Sequence, residues 1–186
     1  QREQIQATKN QAIQAVNNAT SIINVKTAGD EGIIKLENVF LKAAQLNAKK
    51  ELDNYTLEQE KYIDQLVAVG DDEKAVYKQR QQAVTDAAKA AITLANSQKE
   101  VLEIKEQAKE DLRAINLEGS KENAINYIKL EAEKLGGIPL STELSTILSK
   151  HNGLINQKLA PHEVEAQMYL ALDEIRLQAA KQTYIG

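Results

Sequence analysis

The residues of this chain best suited to chemistry are His162 and Glu163, followed by Val164-Glu165-Ala166. Adjacent histidine and glutamate open the zinc-protease pattern, in which two imidazoles one helical turn apart hold the metal and the glutamate acts as general base. Position 166, where the second imidazole must stand, is alanine. The segment reads instead as a helix start whose acids suit the positive end of the helix dipole. The other histidine, His151, stands beside Asn152-Gly153 and reads as a helix-end residue facing water. Asp71-Asp72 and Glu110-Asp111 supply paired carboxylates. Acid–base catalysis would need a cleft that drives their pKa values apart, whereas caps and solvated faces account for them without one. The sequence carries no glycine-rich phosphate loop and no nucleophile elbow. It has no cysteine, so thiolate ligands, thiol nucleophiles and disulfides are excluded. The expectation is a protein without catalysis, with no cofactor and no metal.

Recognition has one candidate. Tyr55, Tyr62 and Tyr77 lie on either side of Gly70, and tyrosine is enriched where proteins contact partners. Tyr55 and Tyr62 also fall on an apolar stripe, so packing is the competing explanation, and the favoured one.

The elements that would position these residues follow from composition. The 186 residues include two prolines and eight glycines, with no tryptophan and one phenylalanine. Ala, Gln, Lys, Glu and Leu dominate, which is the vocabulary of helices. With aromatic residues at 4% and charged residues at 27%, the cores must be thin, as in narrow bundles whose helices each keep a wet face. The formal net charge of −4 comes from mixed signs, and no basic stripe offers itself to phosphate, so nucleic acid is not an expected partner. No run of about 18 apolar residues is present to span a bilayer. The opening Gln1-Arg2-Glu3 is neither an initiator methionine nor a signal peptide, and the expectation is a fragment of something longer.

Shifted by 76 positions, the sequence lies over itself, with Ala15-Val16-Asn17-Asn18-Ala19-Thr20-Ser21 on Ala91-Ile92-Thr93-Leu94-Ala95-Asn96-Ser97. Val25 then falls on Val101, Gly32 on Ala108, Leu36 on Leu112, Val39 on Ile115, Leu41 on Leu117, Ala48 on Ala124 and Leu52 on Ile128. A looser third copy sets Glu163-Val164 on Glu100-Val101, Ala171 on Ala108, Ile175 on Leu112 and Arg176 on Arg113. Such self-similarity is the mark of a repeat architecture.

Punctuation places the helices. Ser97-Gln98-Lys99-Glu100 is a capping box. Ser21, its repeat partner, should cap a helix entering at Ile22, and Pro161 suits the first turn of a helix entering at His162. Gly70-Asp71-Asp72 ends one helix and caps the next, as does Gly136-Gly137-Ile138-Pro139 with Ser141. The expected helices span about 2–18, 22–68, 72–95, 98–135, 141–158 and 162–184. On a wheel of about 100° per residue, Val25, Gly32, Leu36 and Val39 form one stripe. Leu41, Ala44, Ala48, Leu52, Tyr55, Tyr62 and Leu66 form another, turned by roughly 150°. The fourth helix repeats this, with Val101, Ala108, Leu112 and Ile115 against Leu117, Ala124 and Ile128. A helix with two opposed apolar faces must close one unit and open the next. Val76, Ala83, Val84, Ala87, Ala91 and Leu94 are expected to line the return helix of the central unit, and the second long helix is expected to continue through Gly119-Ser120. The expected fold is therefore all-α, an elongated rod of three-helix bundles linked by long shared helices. Its units are 1–40 (partial), 41–116 (complete) and 117–186 (divergent or terminal).

The segments KKELDNYTLEQEKYIDQL, GDDEKAVYKQRQQAVTDAAKAAI, ANSQKEV and AKEDLRAI resemble the helical repeats of giant cell-wall-associated surface proteins of Gram-positive bacteria, of the Ebh type. The likeness covers residues from about 10 to 135 and is carried mostly by capping and core residues. Beyond Leu135 the chain departs from it, with Pro139 and Pro161 where helix or simple turns would stand. The resemblance implies an extracellular, wall-associated spacer serving adhesion, wall integrity or biofilm formation. Its partners would be host extracellular-matrix proteins or neighbouring surface proteins, and the rod itself would be monomeric. Two other readings stay open: a dedicated module that grips a host protein through an exposed helix face, and an intracellular scaffold similar to spectrin-type rods.

Overall fold

The computed structural model describes residues 2–185, except for the side chains of residues 2, 3 and 22–25. The described residues form five helices and no strand: α1 Arg2–Asp64, α2 Asp71–Leu94, α3 Gln98–Gly136, α4 Thr142–Asn156 and α5 Pro161–Ile185. The helices pack as two groups that share α3. One is α1, α2 and α3; the other is α3, α4 and α5, and no helix–helix packing joins α1 or α2 to α4 or α5. In the first group, Ala48, Leu52, Ala88, Ile92, Val101 and Ala108 form the core. The second is filled by Ala124, Ile128, Leu144, Ile155, Val164, Ala171, Leu172 and Ile175, among others.

The expected break near residues 19–21 is absent, and α1 runs unbroken for 63 residues. The reason lies in the cap. At the repeat-equivalent turn Ser97 Oγ accepts from Glu100 N at 3.1 Å, while Glu100 Oε2 accepts from Asn96 N at 2.8 Å. In the first copy Asn24 stands in place of that glutamate and Thr20 in place of the asparagine, so the sequence lacks the capping-box pair. The Thr20 hydroxyl instead bonds back to Val16 O at 2.9 Å, as in an ordinary helix interior. Ser21 therefore caps nothing. Val25 lies outside the described side chains, and Leu36 and Val39, expected to bury, are 57% and 61% exposed. Among the described residues, no other element packs on α1 before Leu41: the described side chains of residues 4–40 are exposed.

Other helix ends follow local chemistry. Gly70 is the N-cap of α2 and makes no side-chain bond, so Asp71 and Asp72 sit inside the first turn, where they suit the dipole, and do not cap it. α1 has already ended at Asp64, six residues earlier. Ser141 caps α4 by accepting from Leu144 N at 3.3 Å. Gly137 closes α3 at φ 75°, a left-handed conformation suited to glycine, and its N–H reaches Glu133 O at 2.9 Å. α3 continues through Gly119-Ser120 as expected. Glycine suits position 119, because a Cβ there would meet the Ile63 and Leu66 methyls at 3.0 and 3.1 Å.

The buried face of α2 differs from the one expected. Val76 and Leu94 are 53% and 78% exposed, and Ala83, Ala87 and Ala91 also face outward. The face turned inward carries Gln81, Thr85, Ala88 and Ile92. Two of these four are polar, so a reading that searched for apolar side chains settled on the neighbouring face.

Candidate functional site

Each of the three tyrosines is held by the chain itself. Arg113 Nε donates to the Tyr55 hydroxyl at 3.0 Å, and the cations of Lys109 and Arg113 lie 5.5 and 5.8 Å from the Tyr55 ring centre. Tyr62 shares a hydrogen bond with Ser120 Oγ, and its ring packs on Ile63, Leu66 and Val69. Tyr77 packs on the same cluster and donates from its hydroxyl to Glu122 Oε2 at 2.6 Å. Burial and the Glu122 carboxylate push the Tyr77 phenol well above its ordinary range, which keeps it a neutral donor. Tyr62 and Tyr77 thus meet on one apolar cluster, while Tyr55, two turns earlier on α1, joins neither. All three are half-buried, and each bonds across to α3.

The first group hides a polar interior. Gln81 Nε2 donates to Asn116 Oδ1 at 2.6 Å, and Asn116 Nδ2 donates to Gln59 Oε1 at 2.5 Å, so one amide from each of α2, α3 and α1 joins a single chain of bonds. One turn away, the hydroxyls of Thr56 and Thr85 are bonded to each other, and both also face the carbonyl of the residue four before. Gln81, Thr85, Thr56 and Asn116 are all buried. Low dielectric strengthens such bonds and makes a broken one costly, so the layer selects one register among three otherwise similar helices. From α1, Gln45 Nε2 donates to Ile92 O and Ala95 O at 3.0 and 3.2 Å, satisfying carbonyls at the end of α2.

The second group holds the residue that sequence reasoning placed wrongly. His151 is 3% exposed, because it shares the buried face of α4 with Leu144, Ile147, Leu148 and Ile155 and is turned toward α5. Its Nδ1 lies 2.8 Å from Gln167 Nε2, and its Nε2 lies 2.7 Å from Glu174 Oε2. With the Gln167 amide donating to Nδ1, Nε2 carries the proton that Glu174 accepts. Lys150 Nζ donates to the same Glu174 oxygen at 2.8 Å. Lys150 first, and His151 second, hold the Glu174 carboxyl below the usual range. Both imidazole nitrogens are occupied within the chain. The signal for this burial was the spacing: Leu144, Ile147, Leu148, His151 and Ile155 are three or four residues from their neighbours on one face.

His162 is exposed at the start of α5, and its neighbour Glu163 accepts from Leu159 N at 3.1 Å. Asp71, Asp72, Glu110 and Asp111 are exposed as well. Among the described residues, no three of His, Asp and Glu gather where a metal ion would be held, and no helix is long and apolar enough to cross a membrane. Shallow open grooves remain. One runs between α2 and α3 over Ala83, Val84, Ala87 and Ile104; another lies where Tyr62, Arg113 and Leu117 approach Leu159 and Pro161. No family model matches the chain, and no match to it was found among curated proteins or solved structures.

Proposed function

We propose that the chain is a non-catalytic spacer, a structural and adhesive stretch of a bacterial cell-surface protein in which three-helix units follow one another along shared helices. The observation that carries this reading is the double membership of α3. Its residues Val101, Ala108, Leu112 and Ile115 are buried in the first half, and Ala124, Ile128 and Ala132 in the second, while the helices on the two sides do not pack on each other. Units joined through a helix resist bending in a way that units joined by a loop do not. The resemblance to Ebh-type repeats supplies the cell-wall setting. Small-angle X-ray scattering tests the shape on which the reading depends. At 1.5 Å per residue the 63-residue α1 alone runs about 95 Å, so a maximum dimension at or above about 100 Å is expected. A particle with a radius of gyration near 16 Å, the value for a globule of this length, overturns the spacer.

A second reading is favoured by one observation, the uncovered apolar residues of α1. Ile33, Leu36, Val39 and Phe40, spaced three or four residues apart on one face, are all more than half exposed, and an uncovered apolar patch of this kind marks a contact site. As a host-binding module, the chain would bind an immobilised extracellular-matrix protein, and the paired change Leu36→Glu and Val39→Glu would abolish that binding. Binding that survives both changes excludes this face.

A further inference from the structure

A helix shared between two units is stiff only if it does not bend at the crossing, and α3 crosses at its weakest point, Gly119-Ser120. The chain between α1 and α2 meets it there. Past Asp64, Gln65 N and Leu66 N bond back to Tyr62 O and Ile63 O at 3.2 Å, tightening the last turn, and Leu66 and Val69 bury beside Ile63. Ala68 is then held at both ends of its backbone. Its N–H donates to Asn123 Oδ1 at 2.8 Å, and its carbonyl accepts from Asn126 Nδ2 at 3.0 Å. Asn123 and Asn126, three residues apart, share a face of α3. Both lie beyond Gly119, in the half of α3 that builds the second group: Ala124 and Ile128 belong to that group's core, and Ile125 packs against it. On the other side of the helix, Lys121 Nζ donates to Asn156 O, at the end of α4, at 2.9 Å.

We infer that Asn123 and Asn126 form a clamp that ties the 65–70 segment of the first group to the second half of α3, fixes the angle between the two groups, and prevents α3 from bending at Gly119. The two amides meet one donor and one acceptor of a single residue, so the loop can neither slide along α3 nor lift from it without breaking both bonds. Gly119 allows Ile63 and Leu66 to close against the helix, and the clamp holds them there. The inference adds a mechanism to the spacer reading, and its use to the molecule rests on that reading.

The test is a distance distribution between spin labels on the full chain, which is free of native cysteine. The labels go on Ala90→Cys in α2 and Ala180→Cys in α5, both exposed positions. The parent gives one narrow distribution. Replacing both Asn123 and Asn126 by alanine broadens it roughly twofold, as expected when a local contact that restrains two packed bodies is released, while helix content by circular dichroism stays at the parent value. Gln45→Ala, which removes bonds of the same type at the far end of α2, leaves the width unchanged. An unchanged width in the double variant overturns the clamp, as does equal broadening with Gln45→Ala. If the double variant loses helix content, Asn126→Ala alone, which frees only the carbonyl, decides: a width equal to the parent's overturns the inference. Scattering that shows an elongated particle while the clamp fails would leave the spacer standing without it.

Discussion

Asn116 is the residue at which α1, α2 and α3 meet through hydrogen bonds, accepting from Gln81 and donating to Gln59. Asn116→Ala would leave a buried amide donor on Gln81 and a carbonyl on Gln59 unpaired, a loss of about 1–3 kcal/mol for a satisfied buried group made orphan. Urea unfolding should show a lower midpoint with an unchanged slope; an unchanged midpoint would mean that the layer contributes nothing to stability. Glu174 offers a second test. Its folded pKa lies below the ordinary 4.5 because of Lys150 and His151, so the unfolded state binds the proton more readily. The stability it provides is complete above the unfolded value and is lost as pH falls through the lower folded one. Glu174→Gln should therefore depress the melting temperature near neutral pH, and the gap from the parent should narrow as pH falls below that ordinary carboxylate value. A gap that does not narrow as the pH falls would assign the effect to packing. Neither site was legible as a site. Gln81, Thr85 and His151 occupy core positions by spacing but not by residue type, and a periodicity counted in apolar side chains passes over them.

At the scale of elements, one helix holds two regimes. Residues 2–40 of α1 form a helix with exposed side chains wherever these are described, whereas residues 41–64 bury Ala48, Leu52, Thr56 and Ile63 against α2 and α3. Helical stability in water comes mostly from tertiary packing, so amide exchange should be fast over residues 4–40 and slow from Ala48 to Ile63. Uniform protection along α1 would show that something covers its first part in solution. The same contrast separates two leucines of one helix. Leu52→Ala, at 0% exposure, should cost about 2–5 kcal/mol, and Leu36→Ala, at 57% exposure, within about 0.5 kcal/mol. The stripe from Leu41 to Leu66 and both stripes of α3 were readable from sequence, because their apolar side chains recur with the helical period and are buried or half-buried in the structure. The stripe from Gly32 to Val39 was read from the same periodicity, yet it has no partner among the described residues. Periodicity reports that a face is suited to burial; it does not report whether another element arrives to bury it. The missed continuity at Ser21 has a different origin: one serine resembles another in an alignment, but the reciprocal capping box also needs the glutamate that Ser97 has three residues on and Ser21 lacks.

For the whole molecule, the shared helix makes a prediction about cooperativity. Units in a linear array are stabilised by their own cores and by the interface with the next unit, so damage in one is passed on in proportion to that interface. Here the interface is not α3 alone. Ser120, Glu122, Asn123 and Asn126 bond to Tyr62, Tyr77 and Ala68, so the first group depends on the helix beyond Gly119 remaining folded. Ile128 is fully buried in the second group, and Ile128→Ala should destabilise that group by about 2–5 kcal/mol. Exchange should then accelerate most in α4 and α5, and to a smaller but measurable extent in α2, which Ile128 does not reach through any packed helix other than α3. If α2 exchanges at the parent rate in Ile128→Ala, the two groups fold independently and the bonds across Gly119 transmit nothing. If α2 accelerates as much as α4, the five helices form one cooperative unit. The intermediate outcome is expected because the first group keeps its own core from Ala48 to Ala108 and loses only the contacts at its end.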